Sequence, residues 1–500
     1  MNPNGKKIVI IGGGIAGLCA AVYAQKCGYQ VEVLEMHDMS GGLAMSWRRG
    51  AYTFETCLHW FFGSDPKGAM HAQWSELFDI EKLTFVDLVE FGRLETEDGD
   101  LLAIPTDVDR LERELLARAP QDAKQIRLLA SDIRRLRGLK MPDPCKSWVG
   151  NAPTLLRDLP VLPLLRSLSR ITAREYAQRF TDPLLRAFFA GGEMGGLSAI
   201  ALVLSLAWMG SGDAKYVTGG AQAIIRLIEE RLVRLGGRVR FGARVERILT
   251  ESGVENDAAI GVQLAGGETI KADWVISAAD GHATIYELLG GKYVDAAIEN
   301  NYKTLELFPS YLQVSLGVAL DLRDQPATTT LMLKSPLQVD PDTGLSQLSF
   351  RIFHFDPAFA PAGKTAVTCF LPTRNFAYWA QLRADHPERY RAEKHRVAES
   401  VIDVLEKRIP GARAAIEVVD VATPASIFRY TGNWKGSMEG WLPTPRTGFK
   451  PLPKTLPGLR KFMMVGQWTI PGGGLPSGPM TSRPAIQAIC KQDRVPFTPR

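Results

Sequence analysis

The sequence carries few of the features that mark a secreted, metal-bound or nucleic-acid-binding chain. Its six cysteines (Cys19, Cys27, Cys57, Cys145, Cys369 and Cys490) are scattered and form no C-x-x-C pair. That pattern fits reduced, mostly buried thiols better than a disulfide framework or a zinc site. Charge is nearly balanced: 59 basic against 54 acidic residues leave +5 over 500 positions, too little to argue for nucleic acid. H-E-x-x-H, G-x-S-x-G and a P-loop lysine are missing, so the chemistries they serve are excluded and no metal is expected. Only six residues precede the first apolar strand pattern, Lys7 to Ile11. A signal peptide has no room there, and a cytoplasmic location is expected. The most hydrophobic stretch, Met194 to Gly212, contains no charge but is interrupted by glycines and by Ser198, Ser205 and Ser211. It reads as a buried or cavity-lining helix rather than a membrane span. With 45% hydrophobic and 23% charged residues, the composition is that of a globular protein.

What is present is an alternation of strand and helix, so the expected class is α/β. Ile8 to Ile11 form a strand, followed by the turn Gly12-Gly13-Gly14-Ile15-Ala16-Gly17 and a helix from about Ile15 to Cys27. Val31, Val33 and Leu34 alternate in a second strand that ends at Glu35. Charged helical stretches lie between Asp107 and Leu139, and a proline-marked segment between Pro153 and Pro163. A helix after Tyr216 stops at Gly236-Gly237, and strand patterns occupy Arg238 to Leu249, Ala259 to Leu264 and Ile270 to Ser277. Five prolines between Gly436 and Pro457 mark an extended connection. The chain closes with a short strand (Phe462 to Val465), a glycine–proline turn and a helix from about Thr481 to Lys491.

Gly12-x-Gly14-x-x-Gly17 is the strongest signal. In such a turn the first glycine permits the bend off the strand, the second lets backbone approach a pyrophosphate, and the third lets the helix pack on the sheet. The helix amino terminus, at Ile15 and Ala16, then offers free N–H groups and a positive dipole end to phosphate. Glu35, 18 residues beyond Gly17, can accept both hydroxyls of a ribose. Six positions after Glu35 comes a second glycine pair, Gly41-Gly42.

With that doublet the chain resembles the superfamily of flavin-containing amine oxidases and carotenoid desaturases. Further segments carry the same resemblance: Tyr216-Val217-Thr218-Gly219-Gly220, the strand around Val245, Ala272-Asp273-Trp274-Val275-Ile276-Ser277-Ala278-Ala279-Asp280, and Gly466-Gln467-Trp468-Thr469-Ile470-Pro471-Gly472-Gly473-Gly474-Leu475-Pro476. The last resembles most the phytoene-desaturase-like branch of desaturases, isomerases and retinol saturases. The resemblance implies FAD as cofactor and a Rossmann-type FAD-binding domain assembled from residues 1–75, 216–295 and 436–500. A helical region (76–215) and an α+β substrate domain (296–435) would complete the chain. It also implies cofactor contacts at Gly12, Gly14, Ile15, Ala16, Gly17, Glu35, Gly41, Gly42, Leu43, Val245, Ala279, Gly466, Gln467, Gly473, Gly474 and Leu475. Two positions depart from the pattern. Leu43 stands where relatives carry Arg or Lys, with Arg48 or Arg49 as substitute cations, and Gln467 stands where many carry an acid.

The expected chemistry is hydride transfer that desaturates or saturates carbon–carbon bonds of a lipophilic polyene or isoprenoid, since the cofactor supplies the redox step and the protein binds and orients. A redox-neutral cis–trans isomerase, an amine oxidase and a non-catalytic flavin-bound scaffold are the alternatives. His59, in His59-Trp60-Phe61-Phe62, is the candidate proton carrier because imidazole titrates near neutral pH. Trp434, Lys435, Glu439 and Trp441 read as a packing cluster. Residues 155–180 place five arginines among leucines, a basic amphipathic surface able to rest peripherally on anionic lipid.

Overall fold

The computed structural model describes residues 5–56, 58–139 and 148–499. Cys57 and Cys145 lie outside them; Cys19, Cys27, Cys369 and Cys490 are buried and unbridged. Five strands, β1 (Lys7–Ile11), β2 (Gln30–Leu34), β3 (Arg238–Arg240), β4 (Trp274–Ser277) and β5 (Phe462–Met464), form one sheet in the order β3-β2-β1-β4-β5. All four pairings are parallel. Both faces of this sheet are covered, which is why β1 reads as an almost unbroken apolar run. Ile8 and Ile10 join the core beneath the helices Ile15–Lys26, Gly220–Arg234 and Ser477–Asp493. Val9 and Ile11 point the other way, into a core shared with the antiparallel strands Val245–Glu251, Asp257–Leu264 and Thr269–Lys271.

Three sequence-based boundaries shift. The strand expected over Arg238–Leu249 breaks at Gly242, where a φ of 64° bends the backbone; its first part enters the parallel sheet and its second the antiparallel layer. The last helix starts at Ser477, four residues before the expected Thr481. Pro479 reads as a turn residue, yet in a first helical turn the N–H it lacks has no intrahelical partner to lose. Residues 155–180 form separate short helices, Trp148–Asp158, Leu162–Ser169 and Ala173–Ala177, with a 3-10 turn at Leu159–Val161.

A second sheet has seven strands. In spatial order they are Ile416–Ala422, Ser310–Val318, Thr365–Thr373, Thr343–Ile352, Thr328–Asp340, Glu90–Thr96 and Leu101–Pro105. One face packs on the helix Pro387–Arg408 through Val397, Val401 and Leu405. Leu94, Leu102 and Ile104 instead join the core of the helical region, which includes Ala199, Val203 and Leu206 of the helix Ala199–Ser211. The sheet thus runs from residues 90–105 into residues 310–422, linking the helical stretch to the lobe that holds the helix Pro387–Arg408. Among the described residues no helix is long and apolar enough to cross a membrane.

Candidate cofactor and substrate cavity

In an open parallel sheet, ligands bind beyond the carboxyl ends of the strands, where the strand order reverses direction. Here that point lies between β1 and β4. A cavity of about 1090 Å³ opens there, lined by Ile11 and Gly12 after β1, Leu34 and Glu35 after β2, Ala278 and Ala279 after β4, and Val465 and Gly466 after β5. Four strands, two from the start of the chain and two from beyond residues 270 and 460, therefore end on one space.

The glycines divide into those the fold requires and those the cavity requires. A Cβ at Gly17 would lie 1.9 Å from the Gly12 carbonyl oxygen, so the first helix can approach β1 only without a side chain there. A Cβ at Gly14 would meet nothing nearer than 3.7 Å, at the Gly41 oxygen, and its φ of −74° suits any residue. Protein packing does not demand glycine at 14; the open space beside it does. Gly14 and Gly41 pair backbone to backbone, and the Gly41 N–H donates to the Gly13 oxygen at 3.0 Å. The two glycine turns thereby form one wall. The first helix begins at this wall with no side-chain cap and no acidic residue in its first turn, leaving its N–H groups and dipole end for an anion.

Glu35 is buried, at 7% exposure. One carboxylate oxygen accepts from the Gly13 N–H at 2.7 Å and the other from the His37 N–H at 2.9 Å. Each oxygen keeps further lone pairs for a ligand hydroxyl. The closing motif is fastened similarly: the Gly466 N–H donates to Thr481 Oγ1 at 2.8 Å, and Ser482 Oγ donates to the Ala16 carbonyl at 2.8 Å. A Cβ at Gly478 would stand 2.9 Å from Ile15, so the first and last helices touch near their amino termini. The last helix, like the first, has no side-chain cap and no acid in its first turn.

Of the residues singled out from sequence, Gly12, Gly14, Ile15, Ala16, Glu35, Gly41, Gly42, Leu43, His59, Val245, Ala279, Gly466, Gln467, Gly474 and Leu475 all line this cavity. Gly17 and Gly473 stand behind its wall; a Cβ at Gly473 would strike the Glu439 carbonyl oxygen at 2.5 Å. Arg48 and Arg49 do not line it. Both are exposed on the hairpin Ser46–Arg49/Tyr52–Glu55, and Arg49 pairs with Asp420 at 3.0 Å. The cations that do line it are Arg244, Arg383 and Arg429, a set formed by three distant segments and invisible in local sequence.

His59 is exposed at the cavity, and its carbonyl oxygen accepts from Arg351 Nη2 at 2.9 Å. Burial lowers the Arg351 pKa, partly offset by Tyr216 and Glu55. Burial pushes Glu55 up to about 7 despite its bond from the Ala221 N–H. Asp280, which also lines the cavity, is pushed up to about 7 by burial, while its oxygens accept from the N–H groups of Ala283 and Trp434, both at 2.8 Å. The aromatic cluster behaves as packing: His282 stacks on Trp434 at 4.7 Å, Tyr302 abuts both Trp434 and Trp441, and Trp441 Nε1 donates to the Trp468 carbonyl. Glu439 does not follow its neighbours into that packing. It lines the cavity.

The residues fit a dinucleotide flavin: a side-chain-free wall, two uncapped helix ends and a buried acid with lone pairs to spare. The model of the family described as flavin containing amine oxidoreductase matches residues 15–473. Chloroplastic prolycopene isomerase of Arabidopsis thaliana is 25% identical over 93% of this chain and 80% of its own. The neurosporene-forming phytoene desaturase of Cereibacter sphaeroides is 24% identical over 94% and 92%. Among solved structures, an oxidoreductase from Methanosarcina mazei superposes with a TM-score of 0.58 at 19% identity, covering 96% of this chain and 100% of that one. Cyclohexylamine oxidase from Brevibacterium oxydans IH-35A gives 0.59 at 15% identity, covering 97% and 99%. The structural likenesses establish the fold, and the family match extends over most of the chain: it belongs to the flavin-containing amine oxidoreductase family and is an FAD-dependent oxidoreductase.

Proposed function

We propose that the protein adds or removes hydrogen across carbon–carbon bonds of a lipophilic polyene or isoprenoid. The observation that carries this reading is the cavity's continuation beyond the glycine wall into an apolar lining that includes Met194, Leu345, Phe370, Phe376 and Met438. It is supported by relatives that are carotenoid desaturases and isomerases over nearly the whole chain. FAD, when bound, supplies two-electron hydride chemistry. Gly12, Gly14 and the N–H groups at Ile15 and Ala16 would hold its pyrophosphate, Glu35 a ribose, and Gly41, Gly42 and Leu43 the adjoining backbone. Val245 and Ala279 would flank the nucleotide, while Gly466, Gln467, Gly474 and Leu475 would hold the flavin end, with Gly17 and Gly473 shaping the wall from behind. His59 would face substrate from the cavity's exposed side.

Anaerobic mixing of the yellow holoenzyme with phytoene, and separately with prolycopene, tests the reading. Bleaching of the flavin band with a product two hydrogens lighter is expected for desaturation. A product of unchanged mass would instead favour a redox-neutral isomerase, the reading supported by the prolycopene isomerases among the relatives. No product from either substrate, whether the flavin starts oxidised or is first reduced with dithionite, would sink both.

Substrates of this kind reside in membranes, and residues 155–180 suit a lipid surface. Leu156, Leu159 and Leu162 are 66%, 51% and 45% exposed, and Arg157, Arg166, Arg170, Arg174 and Arg179 are all exposed. A side chain at Gly195 would meet Arg174 Nη2 at 3.1 Å, one residue from Met194 on the cavity lining. Each basic residue near an anionic membrane adds about 1 kcal/mol. Flotation with phosphatidylserine vesicles, reduced by Leu156→Asp with Leu159→Asp, is the expected result; equal flotation of both proteins would refute the surface.

A further inference from the structure

We propose that Glu439 is the catalytic proton acceptor and donor of this cavity, exchanging with substrate the proton that accompanies hydride transfer; this rests on the polyene redox reading above. Three observations on its surroundings support it. First, Glu439 is half-buried and lines the cavity, and its carboxylate makes no hydrogen bond or ion pair among the described residues, so its oxygens stay available to a molecule bound there.

Second, its position is fixed against the flavin end of the cavity. A Cβ at Gly473 would meet Glu439 Cβ at 2.8 Å, and one at Gly474 would meet Glu439 Oε1 at 3.7 Å. With the nucleotide end tied to Glu35 and the helix terminus at Ile15, a bound dinucleotide must extend its ring system along the cavity towards Gly466–Leu475. Third, one side of Glu439 opens onto the cavity, yet it lies deep enough that burial alone pushes its pKa up to about 7. A base with that pKa accepts and returns a proton with little driving force wasted at neutral pH.

The other ionisable groups on the lining are Glu35, Glu193, Asp280 and Glu287, Arg244, Arg383 and Arg429, His59, Tyr311 and Tyr430. None of them enters the causes of the Glu439 shift. Asp280 titrates in the same range, but both of its oxygens are held by backbone N–H groups.

In the desaturating direction one substrate C–H breaks and its electron pair leaves as hydride to the oxidised flavin. The C–H on the adjacent carbon breaks, its proton passes to the Glu439 carboxylate, and its electron pair forms the new carbon–carbon π bond. Substrate loses two electrons, the flavin gains them, and Glu439 becomes a neutral acid that later releases the proton to solvent. Saturation runs the same steps in reverse.

The test compares wild-type holoenzyme with Glu439→Gln, Glu439→Asp and Asp280→Asn, each checked for flavin occupancy. The midpoint potential of the bound flavin is measured from pH 5 to 9 with dithionite, which needs no substrate. Below pH 6 the potentials of wild type and Glu439→Gln are expected to coincide, and above pH 7 that of Glu439→Gln should lie higher, because only wild type then places a carboxylate charge beside the flavin; Glu439→Asp and Asp280→Asn should follow wild type. With phytoene or prolycopene, anaerobic flavin bleaching in Glu439→Gln should slow by roughly 10²–10⁴-fold, with partial recovery in Glu439→Asp. Superimposed potential curves for wild type and Glu439→Gln across the whole range would overturn the proposal, as would a divergence above pH 7 produced only by Asp280→Asn. If neither polyene bleaches any protein, the substrate reading fails while the potential curves still decide the role of Glu439.

Discussion

Two acidic turns face the same cavity on opposite terms. At Glu35 the backbone supplies an N–H donor for each carboxylate oxygen, from Gly13 and from His37. At Glu439 the adjoining backbone supplies none, and the side chain meets glycines 473 and 474 instead. The two N–H donors fix the Glu35 carboxylate in place, whereas burial favours the neutral acid at Glu439. One acid is thus a fixture that positions a ligand, while the other is left able to change its protonation state.

The contrast predicts that damage at the first turn is structural or affinity-based, and damage at the second is linked to pH. The largest effect is expected at Gly17→Val, whose side chain would occupy the Gly12 carbonyl. Overpacking there should cost at least about 3 kcal/mol, read as loss of cooperative thermal unfolding by calorimetry. Gly14→Val should separate cofactor from fold: the apoprotein's unfolding midpoint stays near wild type, whereas flavin is absent after gel filtration. A fully loaded Gly14→Val protein would erase the distinction between the two glycines. Glu35→Ala should weaken FAD binding tenfold or more, since a hydrogen bond to a charged group contributes about 1.5–3 kcal/mol; equilibrium dialysis with FAD measures it.

The smallest effect sharpens the other side. The folded-state pKa of Glu439 is raised from 4.5 to about 7. Its stabilising contribution is therefore complete below pH 4.5 and is lost as pH rises through about 7. Glu439→Gln lacks that dependence, so its unfolding midpoint relative to wild type should climb by a few degrees between pH 5 and pH 8. Glu55 and Asp280 are also pushed up to about 7, so the difference between the two proteins is the informative quantity. A constant difference would show that Glu439 does not titrate in that range.

The first turn was legible in sequence and the second was not, for a physical reason. Close approach of a helix to a strand, or of backbone to a phosphate, admits only glycine, so residue type and spacing record it directly. Gly12, Gly14, Gly17, Gly41 and Gly42 are such positions. The character of Glu439 comes from partners it lacks, contributed by segments far away in the chain, and no local pattern encodes an absence. The same holds for the cations: Arg48 and Arg49 are near in sequence but face solvent, whereas Arg244, Arg383 and Arg429 reach the cavity through tertiary folding. The break at Gly242 and the early start of the last helix were missed because a single glycine or proline has more than one local reading.

The union of β5 and the last helix with the opening strand and helix bears on biosynthesis. Ser482 meets Ala16 across 466 positions, and β5 completes the edge of a sheet begun at Lys7. A nascent chain has the strand Lys7–Ile11 and the helix Ile15–Lys26 ready early, but no finished pocket until residues 462–493 have emerged. Premature termination anywhere upstream of residue 462 would therefore leave a colourless product with an open sheet edge, an obvious target for chaperones and proteases.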